Sequence, residues 1–329
     1  MERPDVLVLG AGGTLGEAWM RGLLDGIAAG ADVDFRECEY FVGTSAGSIV
    51  AAALAAGRAP DAGDQAAQEW AEAVAEAEAA GDVGAGAGGA GAKDGPAGED
   101  EAGAGGSGRG LGGRLGGAAR GVGRAGVAAA TPFVPAVLAG TAPVGRLARA
   151  AALRGIPRPT RTLPRLSGYL DSLQGTFDGR LRIAVVDRAS GRRVMLGAPD
   201  APHAHVAQAV LASCAIPWVF APVEIAGREY VDGGVWSPTN LDAAPAGRGA
   251  RVLCLVPLAG SNIPGARRAN TAVAATEALA VRARGAEVTT IAPDEDSTRA
   301  FGPNLMDHRR RHAVVAAAYA QGRRLTASG

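Results

Sequence analysis

Apolar residues along the chain form short continuous runs that alternate with longer stretches of helical periodicity. Val6–Leu9 is the first apolar run, and the pattern predicts a helix from about Glu17 to Ala29 after it. Tyr40–Val42 predicts a second strand, which leads directly into a buried helix over 46–54. The same order returns near the end of the chain, with strands over 251–256 and 286–291 around a helix over 271–284. Strands that alternate with helices usually pair in parallel and are covered on both faces, so we predict a three-layer α/β/α fold with a mainly parallel central sheet.

Two hairpins are predicted within this order. Leu181–Val186 is followed by a polar turn and pairs back through Arg193–Leu196. Val219–Ile225 and Arg228–Val231 flank an Ala-Gly dipeptide and form the second hairpin, which leads into Asp-Gly-Gly at residues 232–234. We also predict a helix over 205–213 between the hairpins and a last helix over 307–325.

We expect residues 1–329 to form a single domain that carries an insertion. A helix is predicted over 65–80. Residues 81–126 are rich in Gly and Ala and have no periodicity, so they cannot bury enough apolar surface to offset chain entropy, and we predict a disordered insertion. Residues 127–170 are a candidate basic lid or lipid-facing cap, with ordinary surface packing as the alternative. Within them a short basic helix is predicted over 144–154. Its apolar face would hold Val144, Leu147, Ala148 and Ala151, with Arg146 and Arg149 opposite.

The formal net charge of zero conceals a strong asymmetry along the chain. Residues 57–101 contain eleven acidic residues against Arg58 and Lys93, whereas residues 102–170 contain ten arginines and no acid. Two interpretations remain open. The two segments are solvated and compensate each other, or the arginines between 109 and 165 make peripheral contact with an anionic membrane surface.

The cysteine count and the N-terminal residues predict a cytoplasmic protein. The three cysteines are odd in number and widely spaced, which is typical of neither a disulfide framework nor a metal cluster. Glu2 and Asp5 stand where a signal peptide would be basic, and no apolar run reaches the length of a membrane-spanning helix. We therefore expect a protein that is soluble and can still touch a membrane surface.

Residues 43–47 have the form G-x-S-x-G and lie between a predicted strand and a predicted helix. A serine at such a sharp turn projects its hydroxyl from the backbone near a helix N-terminus. Gly43 and Gly47 let the chain turn there without a Cβ clash. The pattern predicts that Ser45 is a nucleophile.

The Gly-rich loop over Gly10–Gly16 follows the first strand and precedes a helix. Such a loop presents backbone N–H groups to an anion, which is either a phosphate or a reaction oxyanion. A dinucleotide fingerprint of the form G-x-G-x-x-G would need glycine at position 15, where the chain has Leu15. None of the four tyrosines is followed four residues later by the lysine of a short-chain reductase.

A serine hydroxyl needs a base before it can attack an ester. His308 and His312 lie among arginines, which is typical of a solvated basic face, and His203 and His205 lie at a predicted helix start. None of these is a favourable place for a neutral catalytic imidazole. The other candidate is Asp232, which is either a base or a turn aspartate that caps the next segment.

Several motifs occur in the order used by patatin-like phospholipases. They are the Gly-rich loop, the G-x-S-x-G sequence, Ala-Ser-Cys-Ala-Ile-Pro at 212–217 with Phe-Ala-Pro-Val at 220–223, and Asp-Gly-Gly at 232–234. On these motifs the chain resembles that family from residue 5 to about 240, apart from the insertion. Two positions depart from the family pattern, since Leu15 stands where Arg or Lys is usual and Ala11 replaces a glycine.

The resemblance implies a patatin-like fold and a Ser–Asp dyad without histidine, in which Ser45 is the nucleophile and Asp232 the base. It also implies that the backbone N–H groups of the Gly-rich loop form the oxyanion hole. The implied hole is formed by Gly12, Gly13 and Thr14, and the implied support of elbow and dyad comes from Gly43, Gly47, Gly233 and Gly234.

The expected activity is hydrolysis of a fatty-acyl ester, phospholipid or lysophospholipid through an acyl-enzyme. We expect no metal, no cofactor and no nucleic-acid partner. Two alternatives remain, a nucleotide-binding protein or reductase that uses Gly10–Gly16, and a catalytically silent regulator that binds lipid through the arginine stretch.

Overall fold

The computed structural model of the protein describes residues 2–60, 146–263 and 265–327. The predictions for a helix over 65–80, for the insertion over 81–126 and for the cap residues 127–145 lie outside these ranges.

One mixed sheet of eight strands forms the centre of the molecule. The strands are β1 (Val6–Leu9), β2 (Tyr40–Gly43), β3 (Leu181–Asp187), β4 (Arg193–Leu196), β5 (Val223–Ile225), β6 (Arg228–Asp232), β7 (Arg251–Leu255) and β8 (Glu287–Ile291). Five of them run parallel in the order β3-β2-β1-β7-β8. The remaining three, β4, β5 and β6, belong to the two antiparallel hairpins. The predicted mainly parallel sheet and both predicted hairpins are confirmed, although the first strand of the second hairpin begins at Val223 and not at Val219, because Val219 belongs to a turn that starts at Ile216.

The described helices cover both faces of the sheet. They are α1 (Gly13–Ala31), α2 (Ala46–Ala55), α3 (Arg146–Gly155), α4 (Pro164–Leu173), α5 (Val206–Ser213), α6 (Ala266–Arg282), α7 (Glu295–Phe301) and α8 (Arg311–Ala327). Successive side chains of a strand point to opposite faces, so Leu7 and Leu9 pack on the layer that contains α1, α2, α4, α5, α7 and α8. Val6 and Val8 pack on the opposite layer, which contains α6. The predicted three-layer α/β/α fold is thereby confirmed.

The pairing of β3 brings the carboxyl ends of two strands together. Along 183–186 one edge of β3 pairs with β4. On the other edge β3 pairs first with β2, whose last residue, Gly43, lies opposite Ile183. Further along the same edge β3 pairs with β6, whose last residue, Asp232, lies opposite Val185. Because β2 and β6 share this edge and run in opposite directions, their carboxyl ends meet almost end to end. Ser45 follows β2 by two residues, and Asp232 is the last residue of β6.

The predicted orientation of the basic helix is wrong. Among the α3 side chains whose burial is described, 148–155, the buried ones are Arg149, Ala150 and Leu153, whereas Ala148 and Ala151 of the predicted apolar face are exposed. The guanidinium of Arg149 lies 4.5 Å from the ring centroid of Trp236 and donates a hydrogen bond to the Gly191 carbonyl. A planar cation on an aromatic ring can be buried in this way, so its charge does not force the residue outward.

The C-terminal segment also differs from its prediction. The expected helix over 307–325 begins with a 3-10 turn at His308–Arg310 and continues as α8. Arg311 is buried in an ion pair with Glu17, so the arginines around the two histidines are not all solvated. Two helices were not predicted, α4 and α7. Pro164 opens α4, at a position in the first turn where proline is well tolerated.

Candidate active site

Ser45 sits at a strained turn between β2 and α2. Its backbone has φ 51° and ψ −123°, and its side chain is buried. A left-handed φ is costly for a residue with a side chain, so the surrounding structure must hold it in place. A Cβ on Gly47 would overlap the Leu9 carbonyl, which explains why the turn needs glycine there. A Cβ on Gly43 would press against the Ser48 backbone for the same reason.

Two serines outside the elbow hold its backbone. The Ser45 N–H donates to the hydroxyl of Ser213 at 2.9 Å, and that hydroxyl donates to the Ala184 carbonyl at 2.8 Å. The Ser48 hydroxyl donates to the Ser45 carbonyl at 2.6 Å. Sequence reasoning assigned no role to Ser213, although this residue belongs to the Ala-Ser-Cys-Ala-Ile-Pro motif.

A second set of buried contacts joins the elbow to the loop after β6. The Asn240 side-chain amide donates to the Thr44 hydroxyl at 3.1 Å and to the Ser237 carbonyl at 2.8 Å. Its oxygen accepts from Arg193 at 3.2 Å. Asn240 is fully buried. These bonds fix the residue before the candidate nucleophile against the segment that follows Asp232.

The Asp232 carboxyl is buried at the end of β6. Its Oδ1 accepts a hydrogen bond from the Gly234 N–H at 2.7 Å. Burial raises the pKa of Asp232 to about 7, and the hydrogen bond from Gly234 and the interaction with the Ser45 side chain lower this pKa only in part. A Cβ on Gly233 would overlap the Ala184 carbonyl, so glycine lets the chain approach β3 closely. A carboxyl with a pKa near 7 can both accept and return a proton at neutral pH.

The Gly-rich loop ends beside the same cleft. Gly13 has φ 62°, and the N–H groups of Leu15 and Gly16 bond to the carbonyls of Leu305 and Gly12. Within the described ranges no partner accepts from the backbone N–H groups of Gly12, Gly13 or Thr14. Gly13 and Thr14 line the cleft together with Ser45. N–H groups of this kind can donate to an anion that forms there.

The two departures from the family loop are both accommodated by packing. Leu15, in place of Arg or Lys, is fully buried in the core on the side of α1. Ala11 is buried as well, and its N–H donates to the Pro238 carbonyl at 2.8 Å. The loop therefore carries no cation at the Leu15 position.

An apolar cleft opens next to Ser45. Its other lining residues are Ala46, Ile49, Leu163, Leu166, Cys214, Ile216, Phe220 and Met306. Leu163 and Phe220 also line a neighbouring apolar groove with Leu211, Ala215, Pro222 and Val223. Hydrocarbon is the chemistry that such walls would bind.

The histidines lie elsewhere. In the described part of the chain none of the four lines the cleft at Ser45, and His203 and His205 border a different groove beside Phe177. Over residues 2–60, 146–263 and 265–327, no group of three His, Cys, Asp or Glu side chains could hold a metal ion. Over the same ranges no helix has both the length and the apolar character needed to cross a membrane.

The fold and this site define a class of protein, an α/β protein with a serine at a strand-to-helix elbow and a Gly-rich loop beside it. The family model described as patatin-like phospholipase matches residues 7–245. The chain belongs to the patatin-like phospholipase family, which confirms the resemblance found in the motifs. Membership supports a lipid acyl hydrolase in general terms.

Among solved structures, the chain is similar to VipD from Legionella pneumophila. The sequences are 14% identical, the TM-score is 0.38, and the match covers 99% of this chain and 67% of that one. None of the curated protein sequences matches the chain.

Proposed function

We propose that the protein is a serine acyl-ester hydrolase that acts through a Ser45–Asp232 dyad, of phospholipase or lysophospholipase type. One observation carries the proposal. The buried carboxyl of Asp232 has a pKa near 7 and interacts with the side chain of a serine held in a strained elbow. A base of that pKa suits proton transfer from a serine hydroxyl at neutral pH.

The proposed reaction has two steps. In the first, Ser45 Oγ attacks the ester carbonyl carbon while its proton passes to Asp232, and the protonated carboxyl returns this proton to the departing alcohol. In the second, Asp232 takes a proton from water, whose oxygen attacks the acyl-enzyme, and Ser45 regains a proton as the fatty acid leaves. The free N–H groups of Gly12, Gly13 and Thr14 stabilise the tetrahedral oxyanion in both steps, at about 3–4 kcal/mol for each good donor.

The apolar walls of the cleft support a fatty-acyl ester as substrate. Ile49, Leu163 and Phe220 offer hydrocarbon contacts next to the nucleophile. The arginines between 109 and 165 that the structure describes are those from α3 onwards. Arg154 and Arg158 are exposed and are available for peripheral contact with an anionic surface. A cytoplasmic protein that visits membranes fits these features.

The nucleotide alternative has less support from the loop. The N–H groups of Gly10 and Ala11 already donate to the carbonyls of Leu255 and Pro238. The remaining donors line the same cleft as Ser45. A thermal shift with NAD(P) and no reaction of Ser45 with a fluorophosphonate would favour that alternative instead.

The test is fluorophosphonate labelling combined with turnover of a water-soluble p-nitrophenyl ester. Wild-type protein should be labelled at Ser45 and should hydrolyse the ester. Ser45→Ala should abolish both, and Asp232→Asn should lower turnover almost as far. His308→Ala and His312→Ala are the controls and should keep full activity. Retained turnover in Ser45→Ala would overturn the proposal.

A further inference from the structure

Trp218 occupies a backbone position that is unfavourable for a tryptophan. The Val219 N–H donates to the Ile216 carbonyl at 3.1 Å, so residues 216–219 form a β-turn. Pro217 is the second residue of this turn, and Trp218 is the third, with φ 69°. Proline followed by a positive φ is the pattern of a type II turn, in which glycine is strongly preferred at the third position. A bulky residue there costs on the order of 1–2 kcal/mol.

The strained residue points a large apolar surface into solvent. Trp218 is 46% exposed, whereas Trp19 is fully buried and Trp236 is covered by two arginines. Backbone strain of this kind persists where function requires it. Packing accounts for the position only in part, because almost half of the residue is exposed.

The exposed tryptophan borders a hollow that adjoins the Ser45 cleft, because Phe220 lines both. Phe220, two residues later, lines the cleft itself, and Ile216 at the start of the turn lines it too. The turn packs along the segment 157–163, because the Ala221 N–H donates to the Arg161 carbonyl at 2.8 Å. A partner that binds Trp218 therefore lies beside the wall of the cleft that Phe220 forms.

The segment beside Trp218 is strongly basic. Residues 146–170 contain six arginines and no acid. Arg158 borders the same hollow as Trp218, and its side chain is 66% exposed even though it pairs with Glu229 at 3.0 Å. Arg161 lines the adjacent groove with Pro222. Positive charge around an exposed indole complements an interface that is negative at its surface and apolar beneath it.

We propose that Trp218, Arg158 and Arg161 form a docking surface for a lipid bilayer with anionic headgroups. Tryptophan is enriched at membrane–water interfaces because its ring is apolar and its N–H is polar. Each arginine near such a surface adds attraction that salt screens. Docking brings the Ser45 cleft towards the lipid, and, on the hydrolase function proposed above, an acyl ester then enters without crossing water.

Binding is tested with the full chain carrying Ser45→Ala, so that hydrolysis cannot alter the vesicles. The probes are vesicles of phosphatidylcholine alone and of phosphatidylcholine with phosphatidylglycerol, separated by flotation. The protein should float with the anionic vesicles at low salt and much less at high salt or with phosphatidylcholine alone. Absence of flotation with anionic vesicles at low salt overturns the proposal, and this result leaves the hydrolase assignment intact.

Trp218→Gly distinguishes a docking role from a structural one. Glycine relieves the strained turn but also removes the buried part of the indole, so the melting temperature should change only modestly, while partitioning onto anionic vesicles should fall about tenfold. Arg158→Gln with Arg161→Gln should lower partitioning about tenfold at low salt and have little effect at high salt. Tyr319→Ala is the matched control, because Tyr319 is 39% exposed on α8. Unchanged partitioning in Trp218→Gly, or an equal loss in Tyr319→Ala, would refute the surface.

A second measurement uses the protein with Ser45 intact. In Trp218→Gly the ratio of phospholipid turnover on anionic vesicles to turnover of the water-soluble ester should fall about tenfold. An unchanged ratio would contradict the docking role. If the wild-type protein hydrolyses neither substrate, only the hydrolase assignment is refuted, because flotation measures docking independently of hydrolysis.

Discussion

The hydroxyl of Ser213 accepts a hydrogen bond from the backbone N–H of Ser45 at 2.9 Å. It also donates to the Ala184 carbonyl at 2.8 Å, and Ala184 lies on β3 between the residues that pair with Gly43 and with Asp232. One fully buried hydroxyl therefore connects the elbow to the strand that carries both candidate dyad segments. We propose that this hydroxyl positions Ser45 for its proposed role as nucleophile.

Ser213→Ala should lower kcat for the water-soluble ester about 10- to 100-fold with little change in KM. The substitution leaves the Ser45 N–H and the Ala184 carbonyl unpaired, which costs about 1–3 kcal/mol and lets the elbow move. Steady-state kinetics on folded protein would measure this. Ser297→Ala is the control, because Ser297 is equally buried and its hydroxyl donates to Gln321, outside the candidate site. It should lose stability and keep kcat, whereas equal kinetics in both variants would contradict the positioning role.

The value of kcat/KM should rise tenfold per pH unit below about pH 7 and level off above it. The base must be ionised to accept the serine proton, and burial raises the pKa of Asp232 to about 7. Activity at pH 5 should thus be about 1% of the plateau. A pH profile of ester turnover measures it. Variants that replace His308 or His312 by Ala should show the same rise of kcat/KM with pH. A rise at a different pH in either variant would indicate an imidazole base.

Asp232→Asn should inactivate the protein and stabilise it. A pKa raised from 3.8 to about 7 means that the folded state holds the proton more tightly, so stability is highest below the unfolded pKa and falls as pH rises to about 7. The ionised carboxyl then costs about 4 kcal/mol. The melting temperature of Asp232→Asn should exceed that of wild type by about 5–10 °C at pH 8, and the gain should vanish near pH 4. Asp171→Asn, at an exposed position on α4, should change nothing at either pH.

Gly13→Ala should lower kcat by about two orders of magnitude. Gly13 has φ 62°, and an added Cβ would lie 2.6 Å from Met306 Sδ, so the loop must shift and misplace its N–H groups. Loss of one oxyanion donor typically costs 10²- to 10³-fold in rate. Gly168→Ala is the control, since nothing lies within 4 Å of its added Cβ. Full turnover in Gly13→Ala would exclude the loop from the reaction.

Arg311→Leu should lower the free energy of unfolding by about 3–5 kcal/mol at neutral pH. Glu17 is fully buried and pairs with both Arg21 and Arg311. Burial raises the pKa of Glu17, but the two arginines together hold it below its usual value, so their stabilisation is present at neutral pH and is lost as the pH falls. The difference in the free energy of unfolding between wild type and Arg311→Leu should therefore become smaller when denaturant titrations are repeated at acid pH. Arg299→Ala, which breaks an exposed pair with Asp296, should cost less than about 1 kcal/mol.

Most strands and helices could be predicted because their periodicity is local. The apolar runs, the two hairpins and the helices behind the Gly-rich loop and the elbow all follow from neighbouring residues. The burial of Arg149 could not be predicted, because the charge pattern of α3 does not reveal Trp236 almost ninety residues later. The strained turn at Trp218 was not predicted either, because the pattern placed a strand from Val219 onwards and a positive φ at a tryptophan has no local signal.

The sequence alone determined the motifs, their order and the local shape of each, because glycine, serine and aspartate at these spacings restrict the backbone within a few residues. Only the tertiary structure decided that Ser45 and Asp232 meet. That meeting requires β4 to occupy one edge of β3, so that β2 and β6 share the other edge. The strands β2 and β6 are almost two hundred residues apart in the chain, and their arrangement on one edge of β3 depends on the whole core, which no local pattern contains. The same holds for Ser213, whose hydroxyl gains its role only when α5 is packed against the elbow.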